Sequence, residues 1–199
     1  MVRTDSDRAF PGWSVASSCS RNARHDGGLS NKLNKLENKV TTMALPQDAP
    51  PARYLDDMKT GLRFAGKARV VREREIIAFA RQFDPQPFHI DTSLADQTLF
   101  GGLIASGWHT AAMTMRLLLE AFPIGEGTIG LGSEVTWPNP VRANDSIHIE
   151  GEVSAVKPSR SHDDRGIVTV RAETKNQNGE VVQAMTANLL VFRRKSKSV

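Results

Sequence analysis

The chain has 199 residues, 39% of them hydrophobic and 24% charged, enough for one substantial core with tails. Its net charge of +4 lies in the tails: residues 1–42 carry seven Lys or Arg against four Asp or Glu, and the closing RRKSKSV adds four more positive charges. That leaves residues 43–192 at about −3 and argues against nucleic-acid binding.

No run of about 18 uninterrupted apolar residues occurs, so no membrane span is expected. The single Cys19 cannot close a disulfide within the chain, which fits a cytoplasmic location. Residues 1–42 are rich in Ser, Asn, Arg and Gly, with apolar residues too scattered for a core. They are expected to be a disordered extension, plainly explained if Met43 is the true start of translation and the upstream part comes from an early start codon.

A Pro-rich lead-in follows over residues 43–60, and LRFAGKARVV reads as a first strand. EREIIAFARQF reads as a short helix with Ile76, Ile77, Ala80 and Phe83 toward the core. Pro85 places Asp84 just past the end of that helix, and Pro87 is expected to keep the next residues extended, so FDPQPFHID forms a rigid loop. This loop holds an acid, Asp84, and an imidazole, His89, five positions apart. Asp91 is placed to cap a short helical turn beginning at Thr92.

Residues Leu103 to Phe122 read as one long helix, apolar on nearly every face and therefore buried, with small residues at Ala105, Ser106, Gly107 and Thr110 to Ala112. Pro123 and Gly125 end it. IHIEGEVSAV alternates as a half-wet strand, with Ile147, Ile149, Val153 and Ala155 inward. Asn178-Gly179 marks a tight hairpin in the stretch that follows. These pieces allow an α+β fold, an antiparallel sheet around one long helix, over residues 61–193, with a basic tail at 194–199.

Three segments, in order, resemble the MaoC-like dehydratase family, which includes the R-specific enoyl-CoA hydratases. FDPQPFHID is similar to its Asp-x-Asn-Pro-x-His-x-Asp signature, LFGGLIASGWHTAAM to its His-Gly segment at the central helix, and WPNPVRANDSIHIEGEV to its Pro-Val-x-x-Gly-Asp lead into a strand. The resemblance implies a hot-dog fold, a homodimer or dimer of dimers, and an acyl-CoA thioester substrate. It implies no metal or redox cofactor, and the charge and hydropathy above leave no expectation of nucleic acid or membrane as a partner.

It also implies that Asp84 and His89 hold the reacting water, and that the Gly107 amide binds the thioester oxygen. Ser106, Phe88, Trp108 and His109 are the further candidates for substrate contact. The chain departs from the family pattern at Gln86 for the usual Asn, Phe88 for an aliphatic residue and Ser106 for His. Where the hydratases carry a serine two turns into the helix, it has Thr114 or Met115.

The implied reaction is hydration of a 2-enoyl-CoA, in which an acid–base pair moves protons and a helix-terminal N–H stabilises enolate charge. Two other activities are open to the same fold: a thioesterase, and a non-catalytic acyl-CoA-binding subunit.

Each candidate also has a plain reading. Asp84 serves as a helix stop, His89 and His109 as core histidines satisfied by a hydrogen bond, and Phe88, Trp108 and Trp137 as core packing. GEGTIG, residues 125–130, lies between a helix and a strand in the reverse of a dinucleotide-binding order and reads as a loop. His148 and SHDDRG, residues 161–166, lack metal-ligand spacing.

Overall fold

The computed structural model describes residues 50–195. The expected N-terminal extension, the start of the lead-in and most of the basic tail lie outside those residues.

Alternating segments form one antiparallel sheet. Its strands are β1 (Arg63–Ala65), β2 (Arg69–Val70), β3 (Ile129–Thr136), β4 (Ser146–Pro158), β5 (Arg165–Lys175) and β6 (Val181–Phe192). The order is β1-β4-β5-β6-β3, with β2 also on β4. The strand expected over LRFAGKARVV is thus two short ones. Ala65 pairs with Glu150 but Arg69 with Ile147, so four steps on one side face three on the other and the sheet edge bends.

The hairpin at Asn178-Gly179 is present. Gly179 takes a φ of +80° and donates to the Asn176 carbonyl, closing β5 onto β6. On β4 the alternation is broken. A bulge between Val153 and Ala155 shifts the register, so Val156 pairs with the buried Val168 while Ala155 joins Thr169 on the outer face. The expectation that Ala155 points inward fails because one extra residue inverts the period-two pattern beyond it.

Among the described residues four α-helical segments accompany the sheet, α1 (Glu73–Phe83), α2 (Pro87–Ile90), α3 (Thr92–Ala95) and α4 (Gly107–Ala121), beside a 3-10 turn at Leu55–Asp57. α1 has the expected bounds and buries Ile76 and Ala80, but Phe83 is 65% exposed. At the last helical position its side chain lies against Phe79 rather than in the core.

Pro87 does not extend the chain. It occupies the first position of the helical turn α2, where its missing N–H and fixed φ cost nothing. Asp91 caps α3 as expected, its Oδ1 accepting from the Leu94 N–H at 3.0 Å.

α4 starts four residues later than the periodicity suggests. Residues 103–106 are extended, because the Ile104 N–H donates to the Phe88 carbonyl and the Ala105 N–H to the Val141 carbonyl. Ser106 then caps the helix, its hydroxyl accepting from the Trp108 N–H at 3.2 Å.

The sheet wraps α4, giving the α+β hot-dog architecture. The helix buries Met113, Thr114, Leu117 and Leu118 against Ile147, Ile149, Val168 and Val170. It is not buried on all sides, however, since Trp108, Met115 and Leu119 remain exposed in the single chain.

Candidate active site

The three quoted segments meet where α4 begins. The extended stretch Leu103 to Ser106 lies between the other two, bonded to Phe88 on one side and Val141 on the other. That placement directs the Ile104 carbonyl at His89 and the Ser106 hydroxyl at Asp84.

His89 is 4% exposed, and its Nδ1 lies 2.8 Å from the Ile104 oxygen. A carbonyl only accepts, so Nδ1 carries a hydrogen, and in its uncharged form the ring presents the Nε2 lone pair on its other side. Nε2 faces Asp84 Oδ2 at 3.4 Å. With the ring in that form both atoms are acceptors, which do not bond each other, and one water can donate a hydrogen to each.

Asp84 sits one residue past α1, its own N–H bonded to the Ala80 carbonyl. Its Oδ2 accepts from Ser106 Oγ at 2.6 Å and its Oδ1 from Gln86 Nε2 at 2.8 Å. The Ser106 hydroxyl, then the Gln86 amide, hold the Asp84 carboxyl below the usual carboxylate range. Partial burial opposes them and His89 adds a smaller pull downward.

Gly107 is the first residue of α4, and its N–H makes no hydrogen bond among the described residues. Such an N–H carries the partial positive charge of the helix terminus. The Trp137 ring lies so close that a Cβ on Gly107 would be 3.0–3.2 Å from three of its atoms. Trp137 is fixed in turn by its Nε1–H, which donates to the buried Gln183 Oε1 at 2.9 Å, and Trp108 meets it edge-on. Phe88 packs against both His89 and Phe100, walling the imidazole.

His109 is buried one turn along α4, stacked on Phe79 at 4.7 Å. Its Nδ1 has no hydrogen-bond partner among the described residues, so it is a core histidine without the satisfying bond that the plain reading supposed. Burial pushes its imidazole down, opposed by Glu75.

Among the described residues no cluster of His, Cys, Asp and Glu is arranged to hold a metal, and no helix is long and apolar enough to cross a membrane. GEGTIG is a loop running into β3, with Glu126 and Gly127 at positive φ. His148 pairs only with Glu150, on the outer face of β4.

The family description of the MaoC like domain matches residues 58–176, which include Asp84, Gln86, His89, Ser106, Gly107 and Trp137 but not Gln183. The chain belongs to the MaoC-like family. An uncharacterised protein of Bacillus subtilis is 36% identical over 142 residues, covering 70% of this chain and 99% of the relative. An (R)-specific enoyl-CoA hydratase of Aeromonas caviae is 31% identical over 134 residues, 65% of this chain and 94% of the enzyme. The crystal structure of a MaoC-like dehydratase from Rhodospirillum rubrum superimposes with a TM-score of 0.71 at 51% identity, covering 73% of this chain and all of that one.

This MaoC-like chain puts its unusual residues to specific use. Gln86 and Ser106 both bond Asp84. Of the two helix positions offered in place of the family's serine, Thr114 spends its hydroxyl on Thr174 at 2.8 Å inside the core, and Met115 is exposed.

Gln86 was legible as a departure, two residues from the acid, but not as a ligand of it. The Ile104 carbonyl and Gln183 carry no sequence signal at all, because only the packing of separate segments gives them a partner.

Proposed function

We propose that the protein is a hydro-lyase that adds water reversibly to a 2-enoyl-CoA. The observation that carries this reading is the pair of inward-facing acceptors, Asp84 Oδ2 and His89 Nε2, 3.4 Å apart and oriented through opposite atoms by Ser106 and Ile104. A water donating to both keeps its lone pairs free to attack C3 of the enoyl group.

Asp84, ionised at neutral pH, takes one hydrogen of that water as the general base. His89 holds the other and assists the transfer, and a proton returns from the pair to C2. One water is added and none of the groups is consumed. The Gly107 N–H binds the thioester oxygen as enolate charge forms on it. Losing such a donor costs about 3 kcal/mol of transition-state stabilisation. The enoyl-CoA hydratase name of the Aeromonas caviae relative supports the same class of reaction.

The working unit of this proposal is a homodimer. β3 is an edge strand exposed along almost its whole length, and Ile129 and Leu131 add to the exposed apolar residues of α4.

The test is loss of enoyl-thioester absorbance on crotonyl-CoA and longer 2-enoyl-CoAs, with a thiol reagent in parallel. Absorbance loss without thiol release supports hydration. Thiol release identifies a thioesterase instead, and binding of saturated acyl-CoA with silence across the panel identifies a non-catalytic subunit.

A further inference from the structure

We infer that Ser106 is a positioning residue that locks the direction of the Asp84 carboxylate to the start of α4, rather than a contact for substrate. The inference rests on the hydratase reading for its kinetic consequences but not for its structural ones.

The valence of the hydroxyl carries the argument. Ser106 Oγ has one hydrogen, and it goes to Asp84 Oδ2 at 2.6 Å. It also accepts from the Trp108 N–H at 3.2 Å. The residue is 1% exposed, so no further donor remains and no open face through which a substrate could reach it.

The position has a second consequence. Asp84 ends α1 and Gly107 begins α4, in segments separated by 22 residues between Asp84 and Ser106. Ser106 is the immediate neighbour of Gly107 and bonds Asp84 through its side chain. It therefore fixes the spacing between the carboxylate and the free Gly107 N–H. Small misplacement of reacting groups is costly, which is why such a link would matter.

Gln86 holds the other carboxylate oxygen, but from an exposed side chain on the same loop as Asp84. It orients the carboxylate within its own loop and cannot set its distance from α4. The downward push on the Asp84 carboxyl agrees with the geometry, since the Ser106 bond is its largest cause.

The test separates the clamp from simple helix capping. Glycine at an N-cap position is tolerated far better than alanine, so Ser106→Gly should keep the helix while removing the hydroxyl. Ser106→Ala is the second variant, and Ser106→Thr retains a hydroxyl.

In the full-length protein the Asp84 carboxyl is followed by carbon-13 NMR titration, assigned with Asp84→Asn, beside the pH profile of kcat/KM on crotonyl-CoA. In the Gly and Ala variants Asp84 should titrate at higher pH than in the wild type. The acid limb of the profile should move with it, and kcat should fall about 10- to 100-fold with KM little changed. Ser106→Thr should restore both readouts.

An unchanged Asp84 titration in folded Gly and Ala variants would overturn the inference, as would a folded Thr variant that behaves like Ala. A wild type inactive on every 2-enoyl-CoA would sink the hydratase reading alone, because the titration decides the clamp without turnover.

Discussion

Replacing Asp84 by Asn separates the chemistry from the fold, because the structure limits what the fold can lose. The carboxylate accepts two side-chain hydrogen bonds, from Ser106 and Gln86. An asparagine there would keep the Ser106 bond through its carbonyl oxygen. Gln86, exposed and free to turn its amide over, would accept from the new NH₂. Both bonds survive, but as neutral ones.

A hydrogen bond to a charged group contributes about 1.5–3 kcal/mol and a neutral one about 1; the exposed Gln86 bond changes little, so the loss falls on the Ser106 bond and should be about 0.5–2 kcal/mol. That is small against a domain stability of about 5–15 kcal/mol, and the variant stays folded. Removing a general base costs about 10²- to 10⁴-fold in rate, which such a loss of stability cannot produce through unfolding.

The stability loss also has a required pH dependence. The folded-state pKa of Asp84 is depressed, so its contribution is present above the unfolded value of about 3.9 and disappears as pH falls through the folded value. Urea titrations of both proteins should therefore differ at pH 7, begin to approach each other below about pH 4 and converge only at the lower pH where folded Asp84 is protonated, while the enoyl-thioester assay shows turnover abolished at pH 7. A variant with near-normal rate would remove Asp84 from the mechanism. An equal stability deficit at both pH values would refute the carboxylate-specific hydrogen bonding.

Other perturbations test separate parts of the site and its frame. His89→Ala empties a buried position and leaves the Ile104 carbonyl without its donor. Chemical denaturation should show a loss of about 2–4 kcal/mol, together with loss of turnover. Gly107→Ala places a methyl 3.0–3.2 Å from the Trp137 ring. Tryptophan fluorescence should shift and kcat should fall while helical circular dichroism is retained.

At Asn144, φ is +70° where the family pattern has glycine. Asn144→Gly should be neutral or slightly stabilising and Asn144→Ala should cost about 1 kcal/mol, read from thermal unfolding. Thr114→Val or Thr174→Val strands one buried hydroxyl, at about 1–3 kcal/mol each. The double variant should cost less than the sum of the two, measured as a double-mutant cycle.

Features that depend on local chemistry were legible in the chain. Proline at position 85 fixes where α1 ends and so where Asp84 stands. Asp91 caps its own turn, and Asn178-Gly179 forces the hairpin. Three short motifs, FDPQPFHID, LFGGLIASGWHTAAM and WPNPVRANDSIHIEGEV, carried the resemblance to its family. Each of these is settled within a few residues, so it is readable from the chain alone.

The remaining features came from contacts between distant segments. One bulge at Val153 and Ala155 turned Ala155 outward. Hydrogen bonds to Phe88 and Val141 held residues 103–106 extended and delayed α4. The same packing gave His89 its tautomer through Ile104 and gave Asp84 its second anchor through Ser106. Those partners lie 15 and 22 residues away in the chain, and such a contact leaves no periodicity or local propensity to read.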